Sequence, residues 1–288
     1  MKTYLFVNPA SGRHSAQRLQ SALAGLHAKS IVPEVFKVRT PAEIDACCAT
    51  INRDCEPHLV IVAGGDGTFN AVINGLDPGT AIVAVVPFGT SNVLAAEIGI
   101  TSNDDAIERI IAGKTASLSV GVLEMQERTL RFVLMAGIGL DGAVVRDVWP
   151  LGKRFLKQGA YALSALKNAV AWDSSVFRLT SSDTEVTCHT AIICNASRYG
   201  GNFILSPGVT PFSQGLSAVC ITEGKRCTYL GSAVDLFRSK TTEGMNIRRI
   251  DSSCFEIDGN APIQIDGDFV GYGPARITEC HDFAKIII

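Results

Sequence analysis

The residues best suited to chemistry are Gly64-Gly65-Asp66-Gly67-Thr68, in which three glycines surround one aspartate. The apolar run at residues 59–63 predicts a buried strand before them, and residues 68–76 predict a short helix after them. A glycine-rich loop between a strand and a helix directs free N–H groups at an anion, and glycine lets a ligand approach the main chain closely. An aspartate has no evident structural purpose there, so Asp66 is predicted to handle a cation or a proton.

Two further loops have the same context. Residues 7–13 and residues 86–92 each follow a predicted strand, open a helix and are rich in small polar residues. Because the carboxyl ends of parallel strands meet at one edge of a sheet, the three loops are expected to converge and to cradle a polyphosphate. The predicted nucleotide-binding residues are Asn8, Ser11, Gly12, Gly64, Gly65, Gly67, Thr68, Gly89, Thr90 and Asn92. For each loop taken alone, an ordinary strand–helix connection that needs glycine for its turn is the alternative.

Composition limits the class of protein. The 288 residues include 26 basic and 28 acidic ones, and this balance argues against a nucleic-acid binder that depends on positive charge. The hydrophobic content of 47% is typical of a globular protein. No apolar run approaches the roughly 20 residues needed to span a bilayer, and no signal-peptide pattern is present. The nine cysteines are scattered without a CxxC pair, which predicts reduced thiols in a cytoplasmic protein.

The first 120 or so residues alternate strand and helix patterns. Such alternation predicts a doubly wound α/β domain, with a mostly parallel sheet and helices on both faces. One helix is expected to begin at Thr40, with Pro41 in its first turn and Glu43 completing a capping box. Another is expected between Asn103 as its cap and Gly113 as its stop.

The second half of the chain is dominated by strand patterns separated by turn residues, and residues 176–190 predict a hairpin. Two helices are expected there as well, within residues 153–172 and 228–240. The expected domains are therefore residues 1–122, with 280–288 as a candidate to rejoin them, and a mainly antiparallel domain over residues 123–279.

These motifs together resemble the diacylglycerol kinase and sphingosine kinase family, and most of all its compact bacterial lipid kinases. The resemblance begins with residues 64–68, flanked by residues 8–12 and 87–92. Three downstream blocks also resemble the family in its order: residues 136–144, 199–209 and 263–269. NAD kinases and phosphofructokinases share the Gly-Gly-Asp-Gly motif, so the downstream blocks make the resemblance specific.

The resemblance implies an α/β nucleotide domain and an antiparallel β-sandwich domain, with the active site in the cleft between them. It also implies transfer of the ATP γ-phosphoryl group to a lipid hydroxyl with Mg²⁺, for which Asp66 is the expected metal ligand. The acceptor hydroxyl needs a base. Asp266 is the leading candidate, with Asp268 on the same side if both lie on a strand, and Asp66 is the other; a β-turn at Asp266 is the structural alternative. By resemblance Asp141 faces the lipid headgroup, although capping the following helix explains it equally well.

Some positions depart from the family pattern. Val93, Ser119 and Gln214 stand where many bacterial members carry acids. The magnesium network implied by the resemblance is therefore incomplete, and the departures affect the metal site more than the nucleotide site.

The leading hypothesis is an ATP-dependent lipid kinase acting on a diacylglycerol-like or sphingoid-like acceptor. The alternatives are a kinase of a soluble acceptor related to NAD kinase, and a nucleotide-binding regulator that has lost catalysis. Basic and aromatic residues within 148–172 suit peripheral contact with a membrane, although the same helix could pack against the β domain. A homodimer is left open, and no nucleic-acid partner is expected.

Overall fold

The chain divides into two compact units, one formed by Met1–Ser119 with His281–Ile288 and the other by Val120–Cys280. The computed structural model describes residues 1–12, 15–53, 56–147, 176–201, 203–222 and 247–288. The helices expected within 153–172 and 228–240 lie outside these ranges. Within them, no helix is both long enough and apolar enough to cross a membrane.

The first unit alternates strands and helices as predicted. Its strands are β1 (Thr3–Val7), β2 (Glu34–Lys37), β3 (His58–Gly64) and β4 (Ala81–Pro87), and its helices are α1 (Ala16–His27), α2 (Pro41–Asn52), α3 (Asp66–Gly75), α4 (Val93–Ile98) and α5 (Asn103–Ala112). The strands pair in parallel in the order β2-β1-β3-β4. The end of a much later strand, β18 (Ala275–Ile287), pairs in parallel with β4. The mixed α/β character predicted for the N-terminal region is confirmed.

The strand order reverses between β1 and β3. The chain leaves β1 towards β2 and then passes β1 to reach β3. Because such crossovers are right-handed, α1 lies on one face of the sheet and α2 and α3 lie on the other. The helix contacts agree, since α1 packs against α5 and α2 packs against α3. Sheets of this kind bind ligands at the carboxyl ends of the strands where the order reverses, and the loops after β1 and β3 lie at that place.

The ends of α2 and α5 follow local sequence signals. The Thr40 hydroxyl accepts the Glu43 N–H and the Glu43 carboxylate accepts the Thr40 N–H, so the predicted capping box is present. Gly113 ends α5 in the left-handed region, with φ of 68°. The predicted cap of α5 was wrong by one residue, because Ser102 has the extended backbone and its hydroxyl accepts an N–H from the first turn, whereas Asn103 is already helical.

The second unit is rich in strands. Its elements are β5 (Thr115–Met125), β6 (Thr129–Phe132), β7 (Met135–Gly139), α6 (Leu140–Asp147), β8 (Phe177–Thr180), β9 (Glu185–Cys188), β10 (Thr190–Cys194), β11 (Arg198–Tyr199), β12 (Phe203–Ile204), β13 (Leu216–Ile221), β14 (Ile247–Ser252), β15 (Cys254–Asp258), β16 (Pro262–Ile265) and β17 (Asp268–Tyr272). β5 and β18 each contain a unit boundary, at Ser119 and Cys280. The β-rich character predicted for this region is confirmed, as is the hairpin, which is formed by β8 and β9.

The strands of the second unit form two antiparallel groups around one core. Six strands pair in the order β14-β13-β10-β7-β16-β17, while β15 pairs with both β8 and β18. Ile138 and Ala218 from the first group share a buried cluster with Leu179, Phe255 and Ile277 from the second. Burial of apolar surface, at roughly 25 cal/mol per Å², is the main force that holds the two groups together.

The cysteines that the structure describes are free thiols: Cys47, Cys48, Cys188, Cys194, Cys220, Cys254 and Cys280. Burial raises the pKa of Cys194 to about 12, so this thiol stays protonated and unreactive. The prediction of free thiols is confirmed for these residues, and Cys55 and Cys227 lie outside the described ranges.

The capping box of α2 provides a local test of the fold. Thr40→Ala removes the hydroxyl that accepts the Glu43 N–H, and we expect it to lower the free energy of unfolding by about 1 kcal/mol. Thr50→Ala is the matched control, because Thr50 is exposed in the same helix and its hydroxyl donates to the carbonyl of Ala46. That change should be neutral or slightly stabilising. Chemical denaturation measures both, and equal losses would show that the cap contributes nothing.

Candidate functional site

The three glycine-rich loops of the first unit are joined by hydrogen bonds. The Asn8 side-chain amide donates to the Thr68 hydroxyl over 3.0 Å, which links the loop after β1 to α3. The N–H groups of Phe88 and Gly89 both donate to the Gly64 carbonyl over 3.0 Å, which links the loop after β4 to the loop after β3. The predicted convergence of these loops is therefore confirmed.

Glycines stand where the loops touch. A methyl group added at Gly89 would lie 2.5 Å from the Cα atom of Gly65, and one added at Gly65 would lie 3.2 Å from the Cα atom of Gly89. A methyl group at Gly12 would lie 2.6 Å from the Thr90 hydroxyl. Gly65 has φ of −99°, a value open to any residue. These glycines serve close contact between loops, and Gly65 does not need a positive φ.

Asp66 is the first residue of α3, and its half-buried side chain faces the loop after β4. One carboxylate oxygen accepts the N–H of Val93 and the other accepts the N–H of Leu94, each over 3.0 Å. Burial raises the pKa of Asp66 above its ordinary value, while the two N–H groups oppose that shift. The structure thus supplies the structural role for Asp66 that the sequence did not suggest.

The other predicted nucleotide-binding residues lie on the same loops. The Ser11 N–H donates to the Asn8 carbonyl, which closes the turn after β1. Gly67 is exposed in the first turn of α3. Asn92 has φ of 49°, and its side-chain amide donates to the Gly89 carbonyl over 3.0 Å. The ten predicted residues therefore form one neighbourhood at the carboxyl ends of β1, β3 and β4.

A protein-bound magnesium ion does not fit this neighbourhood. Mg²⁺ prefers carboxylate and water oxygens, but both oxygens of Asp66 accept backbone N–H groups. Val93 is buried and apolar, and the Ser119 hydroxyl lies 2.8 Å from Nδ1 of His281. Across the described part of the chain, no three His, Cys, Asp or Glu side chains are grouped as metal ligands.

The three downstream blocks come together in the second unit. Asp141, buried in the first turn of α6, accepts hydrogen bonds from the Tyr199 hydroxyl and from the Gln264 amide, the latter over 2.8 Å. The Gln264 side-chain oxygen in turn accepts the N–H of Gly267 over 2.8 Å. One polar network therefore joins α6, β11, β16 and the turn after β16.

The surroundings of Asp141 are closely packed. A methyl group at Gly137 would lie 1.7 Å from a carboxylate oxygen of Asp141, so β7 needs glycine at this position. Burial raises the pKa of Asp141, while the hydrogen bonds from Tyr199 and Gln264 oppose that shift. Its hydrogen bonds connect α6 to other elements, in contrast to the helix-capping alternative. Contact with a lipid headgroup stays a prediction.

Asp266 lies in a turn and not on a strand. Asp266 and Gly267 have φ of 47° and 89°, and Ile265 pairs with Asp268 across them. Two residues with positive φ form a tight hairpin turn. The expectation that Asp266 and Asp268 share one face of a strand is therefore wrong, because the turn separates them. Asp268 begins β17 and is exposed.

The carboxylate of Asp266 holds the backbone between β6 and β7. One oxygen accepts the N–H of Val133 over 2.8 Å, and the other accepts those of Leu134 and Met135, each over 2.9 Å. The Asn195 amide also donates to the Val133 carbonyl over 2.7 Å. These bonds explain why β6 and β7 are separate strands.

Sequence reasoning missed several participants. Tyr199 and Gln264, which donate to Asp141, were not predicted as site residues. Both are polar residues on strands and lie within blocks that resemble the family, and this was the signal that could have identified them. No side-chain signal could identify the groups that bind Asp66, because they are the backbone N–H groups of Val93 and Leu94.

Comparison with known proteins finds diacylglycerol kinases among those similar to this chain. Residues 2–123 match the family model of the diacylglycerol kinase catalytic domain. A diacylglycerol kinase of Bacillus subtilis (strain 168) is 32% identical over 173 residues, covering 57% of this chain and 54% of that protein. A diacylglycerol kinase of Mycobacterium tuberculosis (strain H37Rv) is 24% identical over 298 residues, covering 96% of this chain and 92% of that protein. A solved structure of a diacylglycerol kinase from Bacillus anthracis str. Sterne has a TM-score of 0.76 at 18% identity, covering 99% of this chain and 96% of that one, and this likeness shows the fold.

Replacing Asp266 by Asn tests whether its carboxylate is structural or catalytic. Asn tolerates the same positive φ, but Asp266→Asn places an NH₂ group against backbone N–H groups. We expect the free energy of unfolding to fall by roughly 2–4 kcal/mol. Asp258→Asn, at an exposed position on β15, is the control and should change it by less than about 0.5 kcal/mol. Chemical denaturation measures both. Full stability of Asp266→Asn with lost turnover would instead support a catalytic base.

The buried Asp141 predicts a pH dependence of stability. Because its pKa is raised in the folded protein, the folded state keeps a proton at pH values where the unfolded chain has lost it. The resulting stabilisation is present below about pH 4, the ordinary value for Asp, and is lost as the pH rises through the folded pKa. The stability of wild type relative to Asp141→Asn should therefore fall with rising pH. Denaturation at several pH values measures this difference, and parallel pH profiles would contradict it.

Proposed function

Because residues 2–123 match the family model of the diacylglycerol kinase catalytic domain, we propose that the protein transfers the γ-phosphoryl group of ATP to a lipid hydroxyl. The observation that carries the proposal is the meeting of three glycine-rich loops where the strand order of the first unit reverses. The downstream network around Asp141 adds support, since it joins the other blocks that resemble lipid kinases.

The loops are suited to the phosphates of a nucleotide. The first turn of α3 has N–H groups without partners inside the helix, and the helix dipole favours negative charge there. The hydroxyls of Thr68 and Thr90 lie on the same loops. The carboxylate of Asp66 accepts the N–H groups of Val93 and Leu94, which offset its negative charge. The first turn of α3 can therefore still bind an anion.

Phosphoryl transfer depends mainly on positioning and on neutralising charge. The acceptor hydroxyl must also lose its proton to a nearby base. The carboxylates of Asp66 and Asp266 both accept backbone N–H groups, and these bonds lower their affinity for that proton. Asp268 is the third candidate and is exposed at the start of β17, so the proposal keeps Asp266, Asp66 and Asp268 as candidate bases.

The proposed reaction also involves Mg²⁺ and a membrane surface. Mg²⁺ would reach the site on the nucleotide phosphates, because the described residues do not fit a protein-held ion. A lipid acceptor requires a cytoplasmic protein to contact a membrane peripherally. Residues 148–172, which motivate that contact, lie outside the described residues.

The acceptor class decides between this proposal and its alternatives. The purified protein is incubated with ATP labelled at its γ-phosphate and Mg²⁺, together with mixed micelles containing diacylglycerol or a sphingoid base, or with a soluble acceptor such as NAD. Label in the lipid alone is the expected result. Label in NAD would establish the soluble-acceptor kinase, and ATP binding without transfer to any acceptor would favour a regulator.

The contact between loops predicts how a substitution affects nucleotide binding. Gly65→Val adds a branched side chain where even a methyl group would lie 3.2 Å from the Gly89 backbone, so the two loops must separate. We expect binding of a non-hydrolysable ATP analogue to be lost, and Gly65→Ala to weaken it less. Isothermal titration calorimetry measures both affinities, with circular dichroism to check the fold. Unchanged affinity in Gly65→Val would remove this residue from the site.

A further inference from the structure

The carboxylate of Asp66 links the first turn of α3 to the beginning of α4. We propose that Asp66 is a positioning residue, whose side chain holds residues 88–94 in the arrangement that binds nucleotide, and that it acts neither as a metal ligand nor as a base. This inference deepens the proposed function and rests on it. It also explains why an aspartate stands in a loop suited to phosphate.

The beginning of α4 needs an acceptor from outside the helix. The first N–H groups of any helix have no partner within it, and a helix of six residues has little stability of its own. Asn92 occupies the cap position with φ of 49° and makes no capping hydrogen bond, and its amide donates to the Gly89 carbonyl. Asp66 supplies the acceptor oxygens that a capping side chain would ordinarily provide.

The contact has the geometry of a two-point link. Each oxygen of Asp66 accepts a different N–H group at 3.0 Å, so the carboxylate fixes the rotation of α4 as well as its distance. The Gly64 carbonyl makes a second link, to Phe88 and Gly89. Residues 88–94 are thus held at both ends by the segment that includes the first turn of α3.

Both alternative roles compete with these bonds. A metal ion on either oxygen would lie close to N–H groups whose positive ends point at the same carboxylate. A proton taken by the carboxylate would add a donor next to the two N–H groups and weaken one of the links. A positioning role requires no change in the observed contacts.

The decisive variant is Asp66→Asn. Asn offers one acceptor oxygen, so one of the two N–H groups would face an NH₂ donor and that link would be lost. If residues 88–94 are then correctly placed in only about a tenth of the molecules, apparent nucleotide affinity falls about tenfold. Asp104→Asn is the matched control, because Asp104 is exposed in the first turn of α5. It should leave affinity unchanged.

The affinity of an ATP analogue is measured for wild type and both variants, in Mg²⁺ and in EDTA. A positioning role predicts the same fractional loss for Asp66→Asn under both conditions, and a larger change in KM for ATP than in kcat. A loss confined to Mg²⁺ would identify a metal ligand. Unchanged affinity with kcat lowered by roughly 10²- to 10⁴-fold would identify a base. Either result would overturn the proposal.

Hydrogen exchange of the Val93 and Leu94 amides tests the link independently of nucleotide. We expect both amides to be protected in wild type, and at least one to exchange about tenfold faster or more in Asp66→Asn. Exchange in wild type at the rate of free peptides would overturn the proposal even if the variant fails to fold. If wild type binds no nucleotide while the amides behave as expected, the proposed function fails and the link stands.

Discussion

Backbone N–H groups that regular secondary structure leaves without partners impose the main constraint on this molecule. Such groups are costly to bury unless an acceptor meets them. Asp66 meets those at the start of α4, and Asp266 meets those between β6 and β7. In each unit a carboxylate from a distant part of the sequence accepts backbone N–H groups where an element of secondary structure begins or ends.

Glycines make room for Asp66 in the first unit and for Asp141 in the second. In the first unit, Gly65 and Gly89 permit the close approach that brings Asp66 to α4. In the second unit, Gly137 leaves room for Asp141, whose partner Gln264 also accepts the N–H of Gly267 in the turn that contains Asp266. The absence of a side chain at these glycines therefore leaves the space that Asp66 and Asp141 need for their contacts.

Much of the fold follows from the sequence because its causes are local. Buried runs such as residues 59–63 and the capping box at Thr40 each depend on residues close in the chain. The convergence of the loops after β1, β3 and β4 follows from parallel strand order. The cap of α5 was misplaced because Ser102 and Asn103 are both good caps, and only the backbone angle at Ser102 distinguishes them. The roles of Asp66 and Asp266 could not be predicted, since their partners are backbone atoms 27 to 133 residues away.

The pairing of β18 with β4 has a consequence for biosynthesis. Lys285 and Ile286 lie beside Ile82 and Val83, and the Gly79 N–H donates to the Phe283 carbonyl over 2.8 Å. The edge of β4 therefore stays open on the ribosome until residues 281–288 have been translated. An open strand edge is prone to pair with other chains. The nascent α/β region would then depend on chaperones, or on rapid synthesis of the intervening residues, to reach its final sheet without aggregating.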